Sequence, residues 1–172
     1  MKNLSRHRRY FLHNLFAGGV GASLWAATGA WAAEKSLPTT TSLPESLAKA
    51  LQAKQPLVVM ASLHGCPFCK VVRENYLRPL MEAGLPVVQI DMRERRNVVG
   101  FDGRAISHDD WVRQYGVRIA PTVLFFGPDG QEVAPRLKGA YLPDFYNAYL
   151  EDHLASARRA VQKIQADRAR QT

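Results

Sequence analysis

The stretch LVVMASLHGCPFCKVVREN, residues Leu57 to Asn75, decides the fold. Leu57 to Leu63 is an unbroken apolar run that begins just after Pro56 and contains β-branched residues, the pattern of a strand buried on both faces. The two cysteines of the chain, Cys66 and Cys69, follow at once, separated by Pro67 and Phe68. Phe68, Val71, Val72, Tyr76 and Leu80 then recur at helical spacing, so the cysteine motif opens a helix at the C-terminal end of a strand. Pro79 removes a backbone donor and is expected to kink that helix. Two cysteines so spaced suit three different uses: a metal clamp, a structural staple or a redox pair.

Upstream, Leu47, Ala50 and Leu51 fall at helical spacing, giving a short first helix from Glu45 to near Lys54. Downstream, Pro86 to Met92 reads as a second buried strand. RERRNVVGFDGRAIS then breaks the pattern with charge and two glycines, and Asp102-Gly103 within it reads as a turn. Ser107, with Asp110 three residues on, forms an N-cap for a helix through Trp111, Val112 and Tyr115 that stops at Gly116. Asp109 and Asp110 favour its positive end. Thr122 to Phe126 is a third strand. Gly127-Pro128-Asp129-Gly130 is a turn, and Gln131 to Lys138 returns as a fourth strand in an antiparallel edge hairpin. A last helix from Pro143 carries Tyr146, Leu150, Leu154, Ala157, Val161 and Ile164 on one face.

The 172 residues carry a formal charge of +8, with 47% hydrophobic composition, enough for one core. Lys2, Arg6, Arg8 and Arg9 lie in the first 32 positions without an acid, and removing those four from +8 leaves a mild +4. No face interleaves aromatic and basic residues, so the charge does not point to nucleic acid. Residues 1–13, MKNLSRHRRYFLH, are followed by the Gly- and Ala-rich run LFAGGVGASLWAATGA and by Ala30-Trp31-Ala32, whose small residues fit a signal peptidase. Cleavage after Ala32 and export to a bacterial periplasm are expected. Arg8-Arg9 followed by Tyr10, Phe11 and Leu12 resembles the twin-arginine signal, with His7 and His13 departing from its usual neighbours; an ordinary Sec signal or an uncleaved anchor is the alternative. The apolar run is shorter than the roughly 20 residues that span a bilayer, so the mature protein is not expected to cross a membrane. Domain organisation is read as an export signal over 1–32, a polar linker over 33–44, a domain over 45–154 and a basic helical tail over 155–172. The tail, with Arg158, Arg159, Lys163, Arg168 and Arg170 against Asp167, reads as a solvated helix; an acidic partner or anionic lipid is the alternative.

This succession, with CxxC opening a helix after the first buried strand and Ala120-Pro121-Thr122 opening a later one, resembles the thioredoxin superfamily over residues 45 to 154. GCPFCK, VVQIDM, FDGRAIS, YGVRIAPTVLFFGPDG and Gly139-Ala140-Tyr141 are more closely similar to the SoxW-type periplasmic thioredoxin-like proteins found with sulfur-oxidation genes. The resemblance implies an α/β fold with a central mixed four-stranded sheet flanked by helices and an extended C-terminal helix. It implies a thiol-disulfide oxidoreductase without organic cofactor, acting on protein disulfides and recharged by a membrane thiol-electron donor. Sulfur-oxidation or cytochrome maturation proteins are the implied clients.

The residues suit thiol exchange. A thiolate, not a thiol, attacks a disulfide. Cys66 at a helix N-terminus meets unpaired N–H groups and the positive end of the dipole, and Lys70 adds charge. Pro67 needs no backbone donor at the first helical position. Cys69, one turn on, reaches the first sulfur while facing inward. Cys66 is therefore expected to attack and Cys69 to resolve. By resemblance, Pro121 is the superfamily's cis-proline and Ala120 pairs its backbone with an extended substrate; Gly65, Pro67 and Phe68 complete the expected client-binding rim.

Three departures from ordinary thioredoxin stand out. Gly65 replaces Trp before the first cysteine, and Met60 stands where a buried Asp accepts a proton. His64 is the nearest candidate for proton transfer, against the ordinary reading of a loop His as solvated. Pro-Phe between the cysteines is similar to the Pro-Tyr of glutaredoxins, but the glycine pair and Asp that hold glutathione are not visible after Pro121. Two other uses remain beside reduction: a disulfide oxidant or isomerase, and a copper metallochaperone with His64, Cys66 and Cys69 as soft ligands. Trp111 and Tyr115 read as core, and His108 and His153 as surface.

Overall fold

The computed structural model describes residues 36–140 and 143–171; the expected export signal over 1–32 lies outside the described residues. Helix α1 is Leu43–Gln52, capped by Ser42, whose hydroxyl accepts from the Glu45 N–H at 3.3 Å, with Pro44 in the first turn, where no donor is needed. Strand β1, Leu57–Ser62, is buried at every position. Helix α2, Pro67–Val72, widens into a π turn over Arg73–Leu77 and resumes as α3, Arg78–Glu82. The expected disturbance at Pro79 takes this form: the Arg78 N–H reaches back five residues to the Arg73 carbonyl just before the donor-less proline. Strand β2 is Val87–Asp91. Strands β3, Asn97–Val99, and β4, Ala105–Ser107, precede helix α4, His108–Gln114. Strand β5 is Thr122–Phe126, β6 is Leu137–Lys138, and helix α5 is Pro143–Ala169.

The main sheet has the order β2-β1-β5-β6. β1 runs parallel to β2, with Met60 opposite Gln89 and Ser62 opposite Asp91. It runs antiparallel to β5, with Ala61 opposite Thr122, and β5 runs antiparallel to β6. Because side chains alternate along a strand, Val58, Met60, Val87, Val123 and Phe125 face α2, α3 and α5. Leu57, Val59, Ala61, Ile90, Leu124 and Phe126 face α1 and α4. The mixed four-stranded sheet with helices on both sides and a long C-terminal helix is the architecture the sequence implied.

Several expectations are corrected. The charged stretch after β2 holds a second, two-stranded sheet of β3 and β4, closed by the Asp102-Gly103 turn, where the Asp102 carboxylate accepts the Arg104 N–H at 3.1 Å. The fourth strand, expected over Gln131 to Lys138, shrinks to Leu137–Lys138 and a lone bridge between Glu132 and Phe126. Pro135 cannot donate to the ladder, which accounts for the gap. The described part of the expected linker over 33–44 is docked: Leu37 is buried, the Gln89 N–H donates to the Pro38 carbonyl and the Val99 N–H to that of Thr41. The basic tail is not a free solvated helix. Ala157 and Val161 are buried, Gln165 donates to the Leu51 carbonyl at 2.9 Å and Arg158 to Gln55 at 2.8 Å. His108 is fully buried and His153 half-buried against Phe125, because each lies on the inward face of its helix. Trp111 is core as expected, stacked on Tyr115 at 4.3 Å.

Gly130 shows how tight the α4 side is. It holds φ +67°, and a Cβ there would stand 2.5 Å from Cγ of Phe101, so both backbone and space require glycine.

Candidate active site

The two cysteines sit where β1 hands over to α2. Gly65 turns the chain with φ +72°, and a Cβ at that position would meet nothing within 4 Å, so the approach to the next residue is open. Cys66 is the N-cap of α2, with extended backbone, and its Sγ accepts the Cys69 N–H at 3.2 Å. That bond satisfies one of the helix's unpaired donors and holds the first sulfur over the helix end. Pro67 occupies the first turn. Phe68 points outward, 61% exposed, beside the exposed Val71.

Cys69 is fully buried, among Val72, Tyr146 and Leu150 on the α5 side. Both cysteines are free thiols. Burial pushes the Cys69 thiol up to about 11, with its hydrogen bond to Cys66 as the next cause; contacts with Leu63 and Ser62 pull the other way. One sulfur is thus partly accessible at a helix tip and the other is shielded one turn behind it, the arrangement the spacing implied.

The Ala120–Pro121 peptide bond is cis. Thr122 pairs with Ala61, so Pro121 enters the sheet beside the end of β1, and its carbonyl accepts the Gly139 N–H at 2.7 Å. The Thr122 hydroxyl donates to the Ile119 carbonyl at 2.6 Å. Ala120 is half-buried and packs with Cys66 against the same core. Cys66, Cys69 and Ala120 are therefore brought together, and exposed Phe68, Val71 and Ile119 are apolar surface on these same segments.

His64 is exposed and lines a cleft of about 360 Å³ with Gly65, Arg73, Gln89 and Asp91. Among the described residues, no group of three or more His, Cys, Asp and Glu side chains is gathered to hold a metal ion, so His64, Cys66 and Cys69 do not form a ligand set. Met60 is buried in the position expected to lack the carboxylate.

Sequence reasoning missed the polar groups beneath the cysteines. Arg73, only 5% exposed, donates from Nε to Gln89 Oε1 at 3.0 Å and from Nη2 to Ser62 Oγ at 3.1 Å. Gln89 Nε2 in turn donates to the Asp91 carboxylate at 2.6 Å. Two signals were available: Ser62 is the polar member of the alternating set Val58, Met60, Ser62, and Arg73 lies four residues after Cys69, on the same helix face.

The thioredoxin-like domain family matches residues 43–154, and the chain belongs to that family. Among solved structures, mitochondrial thioredoxin 3 of Saccharomyces cerevisiae in its oxidised form is 22% identical, with TM-score 0.46 over 71% of this chain and 96% of that one. A Thermus thermophilus thioredoxin is 22% identical, with TM-score 0.45 over 70% and 86%. A thioredoxin-fold protein of Helicobacter pylori is 16% identical, with TM-score 0.42 over 72% and 98%. None of the curated proteins matches the chain significantly. Among the described residues no helix is long and apolar enough to cross a membrane.

Proposed function

We propose that the protein is a thiol-disulfide oxidoreductase that exchanges the Cys66–Cys69 dithiol with disulfides of client proteins in the periplasm. The observation that carries the reading is the unequal pair: a half-buried Cys66 whose Sγ is held at a helix N-terminus by the Cys69 N–H, with a buried second thiol on the next turn. The Cys66 thiolate attacks one sulfur of the client disulfide, forming a mixed disulfide and releasing one client thiolate. Cys69, deprotonated, then attacks Cys66 Sγ. The client leaves on its second sulfur with the electron pair, having gained two electrons, and the protein is left with an intramolecular disulfide. Ala120, beside the cis bond, offers its backbone to an extended client segment, and Gly65, Pro67 and Phe68 supply the open rim.

In this reading the protein works as a reductant, recharged by a membrane thiol-electron donor, with sulfur-oxidation or cytochrome maturation proteins as clients. The first 32 residues supply its export, and His64 exchanges protons at the cleft. Insulin disulfide reduction tests the chemistry: Cys66→Ser abolishes turnover, and activity in that variant equal to the parent refutes the role. Equilibration in defined thiol buffers tests direction. A potential near the roughly −270 mV of thioredoxins supports the reductant, and one near the roughly −120 mV of a dedicated periplasmic oxidant refutes it.

A further inference from the structure

The buried resolving thiol poses a problem. Its burial holds the proton on, and Met60 leaves no carboxylate at the usual place to take it off. The polar groups on the Cys69 side of the sheet come from the cysteine helix and its π turn, from β1, β2 and α5, and from the loop after β1, whose Leu63 N–H draws the thiol down. Cys66 shares its own helix end, and Arg73 follows it on the π turn. Ser62 projects from β1, and Gln89 and Asp91 lie across the register on β2. Tyr146 on α5 has a buried hydroxyl without a partner among the described residues, and its ring lies 4.8 Å from that of Tyr76. Burial raises Tyr146 strongly, with Tyr76 and Cys69 adding to it, so this phenol stays neutral and gives up no charge to the site.

The hydrogen-bonding possibilities of the polar groups fix their direction. The Asp91 carboxylate only accepts, so Gln89 turns its amide nitrogen towards it at 2.6 Å. Gln89 Oε1 then faces Arg73 and accepts from Nε at 3.0 Å. A guanidinium has only donors, so the Ser62 oxygen must accept from Nη2, at 3.1 Å. With Arg73 holding that oxygen, the Ser62 hydroxyl proton is left to point away from it. Ser62 is completely buried on the same face of β1 as Met60, which packs in the cluster that holds Cys69, so its hydroxyl proton is directed to the α2 side; after the Leu63 backbone it is among the groups that draw the Cys69 thiol down.

We propose that Ser62 is the side-chain hydrogen-bond donor that stabilises the Cys69 thiolate during resolution, beside the Leu63 N–H, and that Arg73 is the positioning residue that aims it. Ser62 keeps its own proton throughout. The Cys69 proton passes to water, the new S–S bond forms to Cys66, and the bond to the client breaks. Once Cys66 is tied up in the mixed disulfide it no longer favours the protonated Cys69, and the Leu63 N–H and the Ser62 hydroxyl are left as donors to the thiolate, Ser62 being the side chain of the two. The Arg73–Gln89–Asp91 array thus supplies by donation what a buried carboxylate supplies by acceptance, and its outer end opens on the cleft lined by Arg73, Gln89 and Asp91.

This inference rests on the dithiol reading above, and the test separates the two. The reduced protein is mixed with an excess of the aromatic disulfide DTNB in a stopped-flow instrument from pH 6 to 10. The first thiol released reports attack by Cys66, and the second, whose rate does not depend on reagent concentration, reports resolution by Cys69. Absence of any first phase sinks the dithiol reading itself. With the first phase present, Ser62→Ala leaves it unchanged and moves the inflexion of the second phase to higher pH by about one unit, a tenfold loss of thiolate below the inflexion. Because a more basic thiolate is also a better nucleophile, the net slowing near neutral pH is only about threefold. Ser62→Thr, which keeps the hydroxyl, restores the parent profile. A second-phase profile unmoved in Ser62→Ala overturns the proposal, as does equal slowing of both phases or failure of Ser62→Thr to restore the profile, which would assign Ser62 to packing alone.

Discussion

The two faces of the central sheet are filled by different chemistry. Under α1 and α4 the layer is apolar and aromatic: Trp111 is stacked on Tyr115 and meets Phe126 edge-on at 6.0 Å, while Phe101 lies 4.7 Å from Phe126. Under α2 and α5 the apolar layer gives way, at the ends of β1 and β2, to Ser62, Gln89 and Asp91 beneath Arg73. Burying a guanidinium costs free energy unless every neighbour is matched to it, and a hydrophobic replacement often does as well for stability. The side that carries Cys69 is therefore built for chemistry at a cost in stability, and the opposite side is built to hold the sheet.

That contrast breaks most visibly at Trp111. Trp111→Ala empties the largest buried side chain of the aromatic side and lowers unfolding free energy by about 3–5 kcal/mol. Urea denaturation reads the loss. Labelling of Cys66 in the still-folded protein is unchanged, because Leu63, Cys66 and Cys69 pack in the cluster on the other face of the sheet.

A smaller effect sharpens the comparison at a buried histidine on the aromatic side. His108 Nδ1 accepts the Asp91 N–H at 3.2 Å, and burial, then the nearby Arg96 charge, holds the ring's pKa below its ordinary 6.5. Folding therefore favours the neutral ring. Its contribution is complete above about pH 6.5 and is lost as pH falls through the lower folded value. Urea midpoints fall between pH 7 and 5, and His108→Asn, which keeps an acceptor there, flattens the slope. An unchanged slope in that variant would move the acid sensitivity elsewhere.

The same contrast separates what was legible in the sequence from what was not. The strand Leu57–Ser62, the cysteine turn, the Ser107 cap and the Ala120–Pro121 bond each announce themselves through a local pattern a few residues long. The polar array does not, because it needs the register of two strands and the rotation of a helix together to bring Arg73, Ser62 and Gln89 to one point. The β3–β4 hairpin escaped for a different reason: three-residue strands between charged residues leave no alternation to count. The docking of residues 37–41 along β2 and β3 escaped because it uses backbone groups, which carry no side-chain signature.

The division of labour between the sulfurs is the central claim, and alkylation of the reduced protein with peptide mapping tests it most directly. Iodoacetamide at pH 8 is expected to modify Cys66 and to spare Cys69, whose thiol is held up to about 11 by burial, with Cys69 becoming reactive only as the pH approaches that value. Equal labelling of both cysteines at pH 8, or labelling of Cys69 first, would contradict the account.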